Sequence, residues 1–412
     1  MLNEVNKLKI FNDPIYGFIT IPNTLIYDLI QHPYFQRLRR ISQMGLSYLV
    51  YPGAHHTRFH HALGCMHIMQ KAVEVLRFKG VKISKEEEKA LYITILLHDI
   101  GHGPFSHAME HSIVENVNHE AISLFFMHEL NKEFNGELTM AIQIFKEEYP
   151  RKFMLQLISS QLDMDRMDYL RRDSFYTGVA EGNINSERLI QMMNVVDDTL
   201  VIEEKAIYSV EKFLMARRLM YWQAYLHKTS LVAEVILTKV LKRAKELTQR
   251  GISLPCSQPL MFFMQNKISH EDFEANTLKL FAQLDDYDII SALKMWQFHD
   301  DYVLKSLSSM IINRDLLKVK ISEEKYTQEQ VDVLIAQVTK LYGLTYHEAS
   351  YFVNRGKIKN QAYSKDSEPI RIYKKDKSIE DVVTASDQLN LKALTKPVTK
   401  YYICFPKVLV EN

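Results

Sequence analysis

The chain is 412 residues long, 47% hydrophobic and 25% charged, with 51 Lys+Arg against 50 Asp+Glu and a formal net charge of +1. That balance excludes a strongly basic nucleic-acid coat as a global property, and the length is ample for a large core and more than one domain. No run of about eighteen apolar residues occurs, which argues against a helical membrane span. The three separated cysteines, Cys65, Cys256 and Cys404, lack a CxxC partner, as in a reduced, cytoplasmic protein.

The opening MLNEVNKLKIFNDP has no apolar signal core, so no secretory leader is expected. From there to about residue 300 few prolines intervene and apolar residues recur at three- and four-residue spacing, predicting a helical body. Over residues 58–78, Cys65, Ile68, Met69, Ala72 and Leu76 share one helix face with His61, which turns that histidine inward. The next helix is expected over 85–100, stopped by Gly101. At its end His98 and Asp99 are neighbours whose side chains diverge by about 100°. A third helix near 164–175 puts Asp165, Tyr169 and Arg172 on one face.

The segment MNVVDDTLVIEEKAIYS alternates like a hairpin with Asp197-Asp198 as its turn. A long helix is then expected from about 210 to 250, carrying Arg217, Tyr221, Tyr225 and Lys228 as one basic-aromatic stripe. Near residue 305 strand-like runs (LLKVKI, SYFVNRGKI, PIRIYKK, KYYICFP) mix with one helix around 328–342. The expected architecture is mainly α: a helical body over 1–305 and an α+β C-terminal lobe over 306–412. The polar, basic stretch 357–377 reads as a surface loop or arm. No internal repeat or low-complexity tract is present.

Eleven of the sixteen histidines lie between His55 and His128. A histidine on an apolar helix face is, taken alone, more often a satisfied structural residue than a ligand. Here an apolar run ends in His98-Asp99, and a glycine and two further histidines follow. Buried polar groups need partners, and a metal ion is an economical one for such a set. His61, His98, Asp99 and Asp165 suffice for one or two divalent ions with positions left for water and substrate, which points to metal-assisted hydrolysis.

The segments NDPIYGFI, FQRLRRISQMG, PGAHHTRFHHALG, LLHDIGHGPFSH, LDMDRMDYLRRD and AYLHK occur in that order. In this the chain resembles the HD-domain deoxynucleoside triphosphate triphosphohydrolases, most of all the branch containing the animal enzyme that joins a sterile alpha motif to an HD domain. The resemblance implies cleavage between the 5′ oxygen and the α-phosphate, releasing deoxynucleoside and inorganic tripolyphosphate. Its metal ligands fall on His61, His98, Asp99 and Asp165. Its catalytic histidines fall on His107 and His119, with Glu110 where the family has a shorter acidic side chain. Phosphate contacts fall on Arg58, Arg166, Arg217 and Lys228, with an arginine at 166 where lysine is common. Sugar contacts fall on Gln43, Met44, Tyr169 and Asp173, a tight wall at C2′ excluding ribose, and Tyr225 of the stripe is a further substrate-binding residue.

The same resemblance implies regulatory nucleotide sites between subunits of a dimer or tetramer, with Lys9, Gln36 and Arg39 in one and Arg371, Lys374 and Lys375 in another. Gln31 stands where an acidic residue would read guanine. The implied cofactor is a divalent metal (iron, manganese, zinc or nickel), with magnesium on the substrate phosphates. Two other readings compete. One is an HD phosphohydrolase acting on a nucleoside monophosphate, cyclic nucleotide or alarmone; four cations beside the metal set argue for a polyphosphate instead. The other is a nucleotide-sensing or nucleic-acid-binding protein, to which a complete set of four metal ligands would be superfluous.

Overall fold

In the computed structural model, residues 9–105, 108–109, 112–113, 117–364, 367–387 and 391–410 are described. The chain opens on a hairpin, β1 (Ile10–Asp13) against β2 (Gly17–Thr20), within the stretch expected to be helical. Asp13 Oδ1 accepts from the backbone N–H of Ile15 and Tyr16, and Gly17 takes the left-handed φ of +76° that closes the turn. Strands of four residues are too short to show a period against a helical background.

Helix α1 (Arg58–Phe78) starts at a Thr57–His60 capping box, and α2 (Lys85–Leu97) at a Ser84–Glu87 one. Both are apolar on nearly every face and form the middle of the core, as helices buried all round must. Helix α2 ends at Leu97, short of Gly101, so His98 and Asp99 lie in the turn that follows. Gly101 is not a left-handed cap. A Cβ there would stand 2.2 Å from the His119 carbonyl oxygen and 2.3 Å from the Ser123 nitrogen. The glycine lets α3 (His119–Glu133) sit against the His98-Asp99 turn, and Ser123 Oγ clamps the pair by donating to the His98 carbonyl while accepting from the Gly101 N–H.

Helix α4 (Met164–Thr177) is capped by Asp163 at its start and by left-handed Gly178 at its end. It crosses α1 at Gly64, where a Cβ would stand 2.1 Å from Asp168 Oδ1. The long helix expected over 210–250 is broken. Helix α5 (Ile207–Met220) runs into a π-helical turn at Tyr221–Tyr225, and α6 (Lys228–Gln249) restarts after an extended His227 that caps it. The wider π turn and the break displace Lys228 from the face of Tyr221 and Tyr225.

Strands β3 (Met193–Val196) and β4 (Thr199–Glu203) form the expected hairpin, with Asp197 and Asp198 both at positive φ as a tight primed turn requires. Further on come β5 (Lys318–Ser322), helix α7 (Gln328–Tyr342), β6 (Asn354–Asn360), β7 (Arg371–Tyr373), β8 (Ile379–Asp381) and β9 (Val398–Phe405). They complete two sheets, ordered β3-β4-β7-β8 and β5-β9-β6. The parallel β4–β7 pairing, Ile202 opposite Ile372, joins the C-terminal segment to the helical body. The stretch 357–377 is therefore no free arm: it supplies parts of β6 and β7 and buries Ile358, Tyr363, Ile370 and Ile372. The fold is mainly α, as expected. No helix among the described residues is long and apolar enough to cross a membrane.

Candidate metal centre and substrate cavity

His61 on α1, His98 and Asp99 in the turn after α2, and Asp165 in the first turn of α4 converge. His61 Nε2 lies 3.0 Å from Asp165 Oδ1 and 3.7 Å from Asp99 Oδ2; His98 Nε2 lies 3.5 Å from Asp165 Oδ1 and 3.5 Å from Asp99 Oδ1. Ligand atoms about 2.1 Å from one ion stand about 3.0 Å apart at a right angle and about 3.4 Å apart at the tetrahedral angle. These edges fit a divalent cation, and His98 Nε2 is a buried atom without a hydrogen-bond partner.

The remote nitrogens are held from behind: His98 Nδ1 by the Ile95 carbonyl at 2.7 Å, and His61 Nδ1 by Asp168 Oδ2 at 2.7 Å. Such contacts aim Nε2 forward. Cys65 Sγ is also near, but at 3.5 and 3.6 Å from the two nitrogens of His61 it lies beside the ring, off the Nε2 lone-pair axis. Burial pushes its thiol pKa up.

Behind the centre, Arg172 grips Asp168 through two nitrogens at 2.9 Å and reaches Asp13 Oδ2 at 2.8 Å. Arg172 thus faces the α1 contact and the N-terminal hairpin, apart from the face of Asp165 and Tyr169 with which its spacing had grouped it. Burial disfavours the Asp168 carboxylate, but Arg172 and His61 outweigh that and hold its pKa at about 2. Burial likewise opposes the charges of Asp99 and Asp165. His98, His102 and Arg58 hold Asp99 well below the usual range, and His61 and His98 hold Asp165 below it. Both shifts favour the ionised carboxylates that metal binding requires.

A second cluster adjoins the first. His102 Nε2 lies 3.3 Å from Asp99 Oδ1, and its ring stacks on His119 at 3.9 Å. Burial and the Arg58 charge lower the pKa of His102 well below the ordinary imidazole, so it is neutral. Arg58 bonds Asp99 Oδ2. His107 and Glu110 lie outside the described residues.

The centre opens into a cavity of about 500 Å³. Among the expected substrate residues, Gln43, Met44, Arg58, Arg166, Tyr169, Asp173 and Tyr225 line it, together with Asp99, Asp165 and His119. Arg166 is pinned by Ser160 O at 2.6 Å and Tyr169 Oη at 3.3 Å. Asp173 accepts from the Tyr225 hydroxyl at 2.7 Å and pairs with His56 at 2.7 Å. Burial raises the pKa of both Tyr169 and Tyr225, which stay neutral.

Two expected residues fall outside the wall. Arg217 is not among the lining residues, though two of its guanidinium nitrogens are buried without a partner and its charge bears on Tyr169. Lys228, displaced by the π turn, lines a separate cavity of about 210 Å³ with Arg314, Lys318 and Lys407.

Of the expected regulatory residues, Gln36 accepts from Arg39 at 2.8 Å, Arg39 lies over the Phe59 ring, and Lys9 lies over Tyr27. Lys374 pairs with Glu380, the Lys375 N–H bonds Glu204, and Arg371 stands 3.7 Å from Glu368. Among the described residues no hydrogen bond or ion pair joins the first group to the second.

Residues not expected at the site also line it or brace it: His102 and Glu234 on the wall, Asp168, Asp13 and His56 behind. The HDIGH spacing was the available signal for His102; the others depend on contacts across the chain.

The chain is similar to known proteins over most of its length. An HD domain model matches residues 58–173, and a model of the HD associated region matches 184–253. A solved phosphohydrolase from Bacteroides thetaiotaomicron superposes with a TM-score of 0.94 at 52% identity, over 97% of this chain and 100% of that one. The uncharacterized protein YwfO of Bacillus subtilis is 37% identical, over 76% of this chain and 72% of its own length. The deoxynucleoside triphosphate triphosphohydrolase SAMHD1 homolog of Dictyostelium discoideum is 29% identical over 58% of this chain, and the match spans 50% of that protein's length.

Proposed function

The chain belongs to the HD-domain phosphohydrolases, and from that membership we propose that it hydrolyses deoxynucleoside triphosphates to deoxynucleoside and inorganic tripolyphosphate. The observation that carries the reading is the single cavity in which the metal-competent cluster, two arginines and a sugar-sized polar wall meet. A monophosphate would leave the buried guanidinium of Arg217 without a counter-charge. A triphosphate supplies it.

In this reading His61, His98, Asp99 and Asp165 hold the divalent ion, for which iron, manganese, zinc and nickel all suit the donors. When bound, the ion supplies Lewis acidity at the phosphate and lowers the pKa of water. Arg58 and Arg166 offset the negative charge on the phosphates, with Arg217 behind them, and magnesium accompanies the substrate. Water adds its hydroxyl to the α-phosphorus, the bond from phosphorus to O5′ breaks, and O5′ takes up a proton. His119, stacked on neutral His102, and His107 are the imidazoles assigned to that proton transfer, and Glu110 is assigned the acidic part in it. Asp173, Tyr169 and Tyr225 meet the 3′-hydroxyl and sugar face, while Gln43 and Met44 close the space at C2′.

The wider reading is a cytoplasmic homo-oligomer activated by nucleotide. The helical body 1–305 carries the chemistry, and the lobe 306–412 serves regulation with Lys9, Gln36 and Arg39. The lining of the cavity by Lys228, Arg314, Lys318 and Lys407 supports a phosphate role for Lys228 outside the substrate site. Incubating metal-replete protein with each dNTP and NTP, singly and in mixtures, and assaying nucleoside and tripolyphosphate tests the reading. Release of orthophosphate or pyrophosphate without tripolyphosphate would overturn it.

A further inference from the structure

The cavity has two chemically different ends. Metal-competent residues and arginines occupy one. The other is formed where α6 packs on the turn at Gly45–Leu49, and its wall comprises Gln43, Met44, Gly45, Ser47, Leu226 and Glu234. A Cβ built on Gly45 would lie 3.7 Å from Glu234 Oε1, an ordinary van der Waals distance, so the carboxyl packs directly against this turn. Neither metal-competent cluster includes Glu234.

Among the described residues the Glu234 carboxyl makes no hydrogen bond or ion pair, its backbone carbonyl alone accepting from Thr238 Oγ1, and no cation offsets it. Gln43 Oε1, in the wall of the same cavity, is buried without a partner. An acidic side chain that lines a cavity, pairs with nothing and touches no metal cluster is poorly explained by stability, because burying it unpaired costs free energy. A ligand that donates hydrogen bonds would satisfy it.

With the triphosphate at the arginine end and the sugar at Asp173 and Tyr225, the base is the part of the substrate left to reach this wall. We propose that Glu234 is a specificity-determining residue that reads the nucleobase, its carboxylate accepting a hydrogen bond from an exocyclic amino group. Amino-bearing bases are therefore taken in preference to their oxo counterparts, whose carbonyl would face the carboxylate acceptor to acceptor. The side chain of Leu226, in the same wall, flanks the ring without reading it. Burial raises the carboxyl pKa to about 7, so the acceptor form is available at mildly alkaline pH.

This inference rests on the deoxynucleotide reading of the same cavity. Its test compares dCTP with dUTP, which differ at C4 by an amino group against a carbonyl, as competing substrates at pH 8. Wild type is expected to favour dCTP in kcat/KM by about tenfold, the usual penalty for an unmatched buried hydrogen-bonding group. Glu234→Gln, whose amide also donates to a carbonyl, and Glu234→Leu should each bring the ratio to within about twofold of unity. Glu234→Gln is nearly isosteric and carries the test should the leucine variant fail to fold. A wild type that makes tripolyphosphate but does not separate the two substrates, or variants that keep the wild-type ratio, would overturn the role of Glu234 alone. A wild type that makes no tripolyphosphate from any dNTP would overturn the parent reading, and this one with it.

Discussion

His61 is held between two carboxylates of one helix: Asp168 stands 2.7 Å from its Nδ1, and Asp165 stands 3.0 Å from its Nε2. Positions 165 and 168 lie three apart on α4, so the imidazole is gripped edge to edge by a single turn, and Gly64 removes the side chain that would keep α1 from closing on it. Asp168→Asn keeps the shape but weakens the acceptor behind the ring. Asp13 still pairs Arg172, so no buried guanidinium is left uncompensated. A 10- to 100-fold loss of metal affinity is expected, on the order found for such supporting groups. Titration with manganese or iron followed by calorimetry measures it, and an unchanged affinity would remove Asp168 from the metal site.

Gly101 joins the metal turn to the helix that carries His119. Its missing Cβ would meet backbone atoms at 2.2 and 2.3 Å, and backbone cannot swing aside as the end of a long side chain can. Gly101→Ala should therefore push α3 away from the turn. The expected cost is about 1–3 kcal/mol of stability, with a fall in kcat exceeding any rise in KM, because the moved group is a proposed proton donor. Thermal unfolding and steady-state kinetics on the same preparation check both parts.

The four candidate metal ligands, which the fold brings together, were legible in the sequence because polar residues interrupt apolar helical runs at fixed places. Asp168 was not, because its partner His61 lies 107 residues away, and the Arg172 that grips it is anchored by Asp13, 159 residues off on the hairpin β1–β2. The hairpin itself was masked by strands too short to show alternation. Lys228 was placed on a stripe with Arg217, Tyr221 and Tyr225 by a constant helical period, which the π turn at Tyr221–Tyr225 does not obey. The basic stretch 357–377 looked like a loop because its charges are frequent; its buried Ile358, Tyr363, Ile370 and Ile372 are single residues between them. Glu234 gave no signal at all, since a charged residue on an amphipathic helix ordinarily faces water.

Met44 is buried in the cavity wall beside Gln43, at the position assigned to C2′ exclusion. If steric exclusion is the basis of sugar choice, Met44→Ala should admit the ribose hydroxyl. The ratio of kcat/KM for dATP over ATP is expected to fall by about tenfold, within the range one or two methylene-sized groups supply in an apolar pocket. A ratio that stays fixed while both values drop would assign Met44 to packing.

Glu234 also makes a statement about stability that needs no substrate. Its carboxyl titrates near 7 in the fold against 4.5 for the free side chain, the cause being burial. A raised carboxyl pKa means that the folded state prefers the protonated form. Stability from that preference is whole below about pH 4.5 and is lost as the pH rises through about 7. Tyr402 on β9 is the group whose own titration feels Glu234, and it stays neutral over this range because burial raises its pKa to about 12. The loss approaches about 3 kcal/mol at pH 8.5. Glu234→Gln cannot ionise and should escape it. Denaturant unfolding of the two proteins should give curves that nearly coincide at pH 4.5 and separate by 8.5, the variant being the more stable there by about 3 kcal/mol. Parallel curves across that range would mean that the Glu234 carboxyl is solvated, and would leave it no buried acceptor with which to read a base.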